Sequence, residues 1–151
     1  MDNSRITKLR EYLFNIIDTL TTNNKYQINV DFLGNVGDYS LDKIPTQSLV
    51  TRWITGKEIH KEVYSFRSRK AYSQDTLNNL SNIGFFEDLQ YLIEEKNKKG
   101  ILPNINGIQS IECLNCGALN MADNKEAIFD IQIQITFINK EREVTPSLWK
   151  N

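Results

Sequence analysis

The chain has 151 residues, with 18 lysines and arginines against 19 aspartates and glutamates, one histidine and a formal net charge of −1. That length fits one domain, able to bury about 68–70% of the surface its unfolded chain exposes without a disulfide staple. Interspersed, nearly balanced charge excludes a broad nucleic-acid-binding face, so any DNA contact is expected to be local, and no run of about 18 apolar residues exists to span a membrane.

The opening Met1-Asp2-Asn3-Ser4-Arg5 lacks the apolar core of a signal peptide, and Cys113 and Cys116 read as free thiols in a reducing cytoplasm. From Ser4, a natural N-cap, to about Leu20, the residues Ile6, Leu9, Leu13, Ile16, Ile17 and Leu20 recur at spacings of three and four, which predicts an amphipathic helix. Thr21-Thr22-Asn23-Asn24 ends it. Tyr26, Ile28, Val30 and Phe32 alternate with Gln27, Asn29 and Asp31, the pattern of a strand. Gly34-Asn35-Val36-Gly37 is too short and glycine-poor for a phosphate loop and reads as a turn. Residues 39–44 read as an edge strand or loop because Pro45 follows. Residues 49–54 and 58–67 flank Thr55-Gly56-Lys57 as the arms of a hairpin. The second arm carries Ile59, Val63, Tyr64 and Phe66 on both faces, as in a strand covered on both sides.

Helical periodicity returns with Ser73 as N-cap, Asp75 in the first turn, then Leu77 and Leu80. Gly84 is expected to kink or interrupt this helix before Phe85, Leu89, Leu92 and Ile93 continue the stripe. Lys98 and Lys99 suit its negative end and Gly100 the position after it. The most regular pattern lies at 129–137, Phe-Asp-Ile-Gln-Ile-Gln-Ile-Thr-Phe, where five apolar residues share one face and Asp130, Gln132, Gln134 and Thr136 the other. Residues 108–121, with Ile111, Cys113, Leu119 and Met121 on one parity, form its partner. A turn near Asp123 sets Ile111 opposite Ile135 and Cys113 opposite Ile133. The expectation is an α/β (α+β) domain over residues 1–139, a mostly antiparallel sheet with helices on one face, followed by a charged arm over 140–151.

No residue pattern announces catalysis, a cofactor or a metal site. Cys113-Leu114-Asn115-Cys116 lacks the two further ligands a zinc site needs, since His60 is the only histidine, and a redox pair needs a helix start where the pattern is strand. His60 shares its strand face with Glu58 and Glu62, and without a nucleophile this reads as a solvent-facing polar patch. Residues 94–99 read as a solvated helix end. Arg67 and Arg69, followed by Lys70 and Tyr72, share one strand face and suit carboxylates of another subunit or phosphates, against the plainer reading of a solvated basic edge.

The strings Tyr64-Ser-Phe-Arg-Ser-Arg69, Tyr72-Ser73, Asn82-Ile-Gly-Phe-Phe-Glu87, Gly100-Ile-Leu-Pro103, Ile111-Glu-Cys-Leu114 and the strand ending at Phe137 resemble a family of small phage structural proteins. These belong to the head-to-tail module of tailed phages and phage-tail-like particles of Gram-positive bacteria, and are described as minor capsid or tail terminator proteins. The resemblance spans about residues 26–138. It implies a virion protein, not an enzyme, that assembles as a homo-oligomeric ring, commonly a hexamer, capping the tail tube and meeting the neck connector. A head-completion or connector protein is the neighbouring alternative, and a small cytoplasmic enzyme the more distant one. On that reading Arg67, Arg69, Tyr72, Gln132 and Gln134 meet neighbouring subunits, the polar face contacts subunits or lines a lumen for passing DNA, and Leu148 and Trp149 dock on an adjacent subunit or ring.

Overall fold

The computed structural model describes residues 4–20, 28–30, 39–46, 49–54, 56–71, 76–115, 118–122 and 126–139. In chain order the elements are α1 (Arg5–Leu20), β1 (Ile28–Val30), β2 (Tyr39–Ile44), β3 (Leu49–Arg52), β4 (Glu58–Ala71), α2 (Thr76–Lys98), β5 (Ile108–Cys113), β6 (Ala118–Ala122) and β7 (Glu126–Asn139). The fold is α+β. The expected strand over 26–33 is described only at Ile28–Val30. The expected turn at Gly34–Gly37, the Ser73 cap, Tyr72 and the arm over 140–151 lie outside the described residues.

Helix α1 starts at Ser4, whose hydroxyl accepts the Thr7 amide at 3.4 Å and so satisfies one of the amides left open at a helix start. Its stripe buries Leu9, Tyr12, Leu13, Ile16 and Ile17. Helix α2 corrects an expectation, because it runs unbroken through Gly84 for 23 residues. A single helical glycine costs about 1 kcal/mol relative to alanine. Burial of Phe86, Leu89 and Ile93 just beyond it outweighs that cost. The inward aromatic is Phe86, with Phe85 only partly buried against the core. The helix closes as expected at Gly100, whose φ is 74°. The Gly100 amide donates to the Asn97 carbonyl at 3.2 Å and the Ile101 amide to the Lys96 carbonyl at 2.8 Å, a Schellman closure.

The sheet runs β1-β2-β4-β7-β5, with β3 added to β4 and β6 to β7. All pairings are antiparallel except β1 with β2. Strand β2 is not an edge, since it lies between β1 and β4. Tyr39 and Leu41 alternate into the core, and Pro45 falls just past the last paired residue, where its missing donor breaks no ladder bond. The hairpin of β3 and β4 forms as expected, and β4 continues past Arg67 to Ala71. Ile111 pairs with Ile135 and Cys113 with Ile133, the expected register. The expected single partner strand over 108–121 is two, broken at Leu114 and Asn115. A further shift sets Leu119 opposite Phe129 but Met121 opposite Ile128, so Leu119 and Met121 do not keep one parity.

One core joins the helices to one sheet face. Phe129, Ile131, Ile133, Ile135 and Phe137 of β7 pack with Tyr64 and Phe66 of β4, Tyr39 and Leu41 of β2 and the buried stripes of both helices. Tyr39 stacks on Phe66 at 5.2 Å, and Phe86 meets Phe129 at 5.4 Å. Ser68 is fully buried on this face without a hydrogen-bond partner for its hydroxyl. Side chains close individual strand groups: Asn97 Oδ1 accepts the Ile111 amide at 3.0 Å, and Arg10 Nε donates to the Ile28 carbonyl at 2.6 Å.

Gly107 leads into β5 with φ 80°, and a Cβ there would lie 2.4 Å from the Ile138 carbonyl oxygen. Two glycines should therefore respond in opposite directions. Gly107→Ala should lower stability by roughly 2 kcal/mol or more. Gly84→Ala, in a helix with open space around it, should raise stability by about 0.5–1 kcal/mol. Urea midpoints of the two variants check both signs.

Candidate functional site

The second face of the sheet is polar by strand alternation, with Ser40, Val63 and Ser65 on it buried and Arg67, Gln132, Gln134 and Thr136 partly exposed. Because β4 and β7 pair as Arg67 with Asp130, Ser65 with Gln132, Val63 with Gln134 and Lys61 with Thr136, these side chains stand in rows on the face opposite the core. Strand β2 adds Ser40 and Asp42 beside Arg67 and Ser65, and β5 adds Ser110 and Glu112 beside Thr136 and Gln134.

The rows are cross-linked within the chain. Arg67 Nε donates to Asp42 Oδ2 at 2.6 Å, and the Ser40 hydroxyl donates to Asp42 Oδ1 at 2.8 Å. The Ser65 hydroxyl donates to Asp130 Oδ1 at 2.7 Å, and Gln134 Nε2 to Glu112 Oε1 at 2.7 Å. At the break between β5 and β6, Asn115 Oδ1 accepts the Gln132 amide at 2.8 Å, standing in for a strand partner. The face is thus held rigid by its own contacts.

Of the residues expected to meet other subunits, the structure brings Arg67, Gln132 and Gln134 onto this one surface. Within its own chain the Arg67 guanidinium pairs with Asp42 through Nε. Backbone register keeps Arg69, opposite Ile128, on the parity of Arg67. Tyr72, Leu148 and Trp149 lie outside the described residues. Sequence reasoning missed Asp42, Ser65 and Glu112 as partners. Asp42 had a signal, because it sits at a polar alternation between Leu41 and Lys43, but only the pairing of β2 with β4 tells which cation it meets.

A second polar cluster lies on the core face, at the end of the sheet beside the start of α1. Glu58, His60 and Glu62 do share one strand face, but it is the helix-covered face, not a solvent-facing patch. Glu62 is only 4% exposed. Arg5 grips it with Nε at 2.7 Å and a terminal nitrogen at 3.0 Å, Lys43 Nζ approaches at 2.7 Å, and the Tyr64 hydroxyl donates at 2.9 Å. Burial by itself would push this carboxyl up. The hydrogen bonds and charges of Arg5 and Lys43, with Tyr64, prevail and hold it at about 2. Burial and the neighbouring carboxylate push the Tyr64 phenol up, so it stays a donor.

Arg5 also lies over the Phe137 ring, 4.6 Å from its centroid, and His60 stacks on the same ring at 5.8 Å. His60 Nε2 lies 2.9 Å from Glu58 Oε1, and Arg52 pairs with the other oxygen of Glu58. Those two hydrogen bonds, His60 first, lower the Glu58 carboxyl. The arrangement ties α1, β2 and the β3–β4 hairpin to one corner. Cys113 is half-buried on the core-facing parity of β5 and Cys116 lies outside the described residues. Among the described residues no group of three or more His, Cys, Asp or Glu side chains is placed to hold a metal ion.

A third feature had no signal in the alternation. The β3–β4 hairpin ends in exposed apolar side chains, Val50, Trp53 and a fully exposed Ile54. Two hydrogen bonds join its described ends: the Trp53 amide donates to the Lys57 carbonyl and the Gly56 amide to the Trp53 carbonyl, each at 2.9 Å.

The Glu62 cluster sets a pH dependence. A carboxyl held below its ordinary value of 4.5 contributes stability that is present in full above that value and fades as pH falls towards about 2. Glu62→Gln should cost about 1–3 kcal/mol near neutrality, because Arg5 and Lys43 are partly exposed and regain water. The gap to wild type should close between about pH 4.5 and pH 2 in urea titrations at each pH. A constant gap across that range would show that the charge is not what stabilises the corner.

No protein-family model and no curated protein matches this chain.

Proposed function

We propose that this protein is a structural component of the head-to-tail module of a phage or phage-tail-like particle, a tail terminator that acts by assembling into a ring at the neck. The observation that carries the reading is the polar sheet face. Its fourteen-residue strands β4 and β7 pair along their whole length. Its polar side chains are bonded to one another: Arg67 to Asp42, Ser65 to Asp130, Gln134 to Glu112. Such a surface is rigid and regular, suited to repetition around an axis, where interfaces must match without rearrangement. Its described charges, Lys61 and Arg67 against Asp42, Glu112 and Asp130, nearly balance. A lumen of that character lets DNA pass without gripping its phosphates. The resemblance noted along residues 26–138 points to the same place in a particle. The partners are further copies of the chain, the tail tube protein and the neck connector.

Light scattering and negative-stain imaging of the purified chain test the reading directly. Rings, alone or on added tail tubes, are the expected result; a monomer that joins neither tubes nor connector overturns it. Loss of the gene should leave tubes of uncontrolled length. Tubes of normal length that fail to join heads would instead assign the chain to the connector.

The same face yields a variant test. Gln132 has no side-chain hydrogen bond among the described residues, so Gln132→Glu should leave the melting temperature within a few degrees of wild type while reducing ring yield several-fold. A variant that melts normally and assembles normally removes this face from the interface and the lumen.

A further inference from the structure

The polar face and several strand-edge groups are satisfied within the chain, whereas the hairpin tip presents apolar surface that nothing in the described fold uses. Trp53 is 43% exposed and Ile54 fully exposed, and Lys57 beside them is exposed. Two backbone hydrogen bonds among Trp53, Gly56 and Lys57 hold the described residues of the tip in place without a partner. A pre-shaped apolar tip with one cation calls for an apolar spot surrounded by acid.

This chain carries such a surface on α2. Glu87, Asp88 and Tyr91 are all exposed, and spacings of three and four place both carboxylates beside the ring on one helix stripe. Tyr91 is 61% exposed. Among the described residues no ion pair involves Lys57, Glu87 or Asp88. The cation on the tip and the acids on the helix are thus both available, and of opposite sign.

We infer that the β3–β4 hairpin of one copy docks on the outer face of α2 of the next copy, with Trp53 and Ile54 against Tyr91 and Lys57 against Glu87 and Asp88. The two patches are different surfaces, so the contact is head-to-tail and closes into a ring when the rotation per subunit allows. One hairpin tip on one helix stripe falls short of the roughly 1,000 Å² that a stable pairwise interface needs. Each contact is therefore weak alone, and closure, which gives every subunit two, holds the assembly. The inference rests on the ring reading above and adds which surfaces meet.

The test uses the full chain as wild type, as Ile54→Asp, as the double variant Glu87→Lys with Asp88→Lys, and as an equimolar mixture of the two variants, each followed by light scattering across concentration. Circular dichroism checks that both variants fold, which exposed positions permit. Each variant alone should weaken self-association by about tenfold or more. The mixture should form one-to-one dimers and no larger species, and only at concentrations well above those at which the wild type assembles, because one intact hairpin then meets one intact helix face but no ring can close. Ile54→Asp assembling like wild type overturns the hairpin contact and leaves the ring reading standing. A mixture no more associated than either variant alone, followed up to the highest soluble concentration, overturns the pairing of these two patches. A wild-type chain that never assembles overturns the ring reading and this inference with it.

Discussion

The pairing of β4 with β7 is the constraint on which the other features depend. Fourteen consecutive residue pairs run from Glu58 with Asn139 to Ala71 with Glu126 without a register shift. A strand places alternate side chains on opposite faces, so this one register assigns every residue of both strands to a side. Slipping it by one residue would turn Gln132 and Gln134 into the helices and Ile133 and Ile135 out of the core. Burial of five apolar side chains on β7 alone, each worth about 1.5–3 kcal/mol, makes that slip prohibitive. Every other strand then takes its place by pairing, directly or through β2, with one of these two.

The two faces use polar chemistry differently. On the core face, polarity is gathered at one corner, where Glu62 is enclosed by Arg5, Lys43 and Tyr64 and where Arg5 and His60 flank Phe137. A buried carboxylate without those partners would cost several kcal/mol, so the corner fixes where α1 begins relative to β4. Ser68, the buried hydroxyl without a partner, shows how little unpaired polarity the rest of that face contains among the described residues. On the opposite face, polarity is spread in short hydrogen bonds within and between neighbouring strands.

The hairpin tip and the outer stripe of α2 lie away from the core. Neither Trp53 nor Ile54 contributes to the core, and neither Glu87 nor Asp88 stabilises its own helix through an ion pair among the described residues. Their complementarity gives the proposed ring a direction, because a tip and a helix face are not interchangeable.

Much of the fold was legible in the residues. The period of 3.6 located α1 and the later half of α2, the period of two located β7, and apolar matching placed Ile111 opposite Ile135 and Cys113 opposite Ile133. Gly84 misled because a glycine weakens a helix by less than the burial of Phe86, Leu89 and Ile93 strengthens it. Pro45 misled because it restricts only its own neighbourhood, leaving Tyr39–Ile44 able to pair on both sides.

Site partners were less accessible than elements. That Arg67 and Gln134 lie on the polar face follows from alternation. That Arg67 meets Asp42, Gln134 meets Glu112 and Arg5 meets Glu62, 57 residues away, does not. The sequence by itself determined which side of α1 and of β7 is apolar, because local backbone geometry fixes side-chain direction with a short period. Only the tertiary structure decided which strands are neighbours, and therefore that His60 and Glu62 face the helices rather than water. The order of strands is set by the summed burial of distant segments, a quantity that no local window of residues contains.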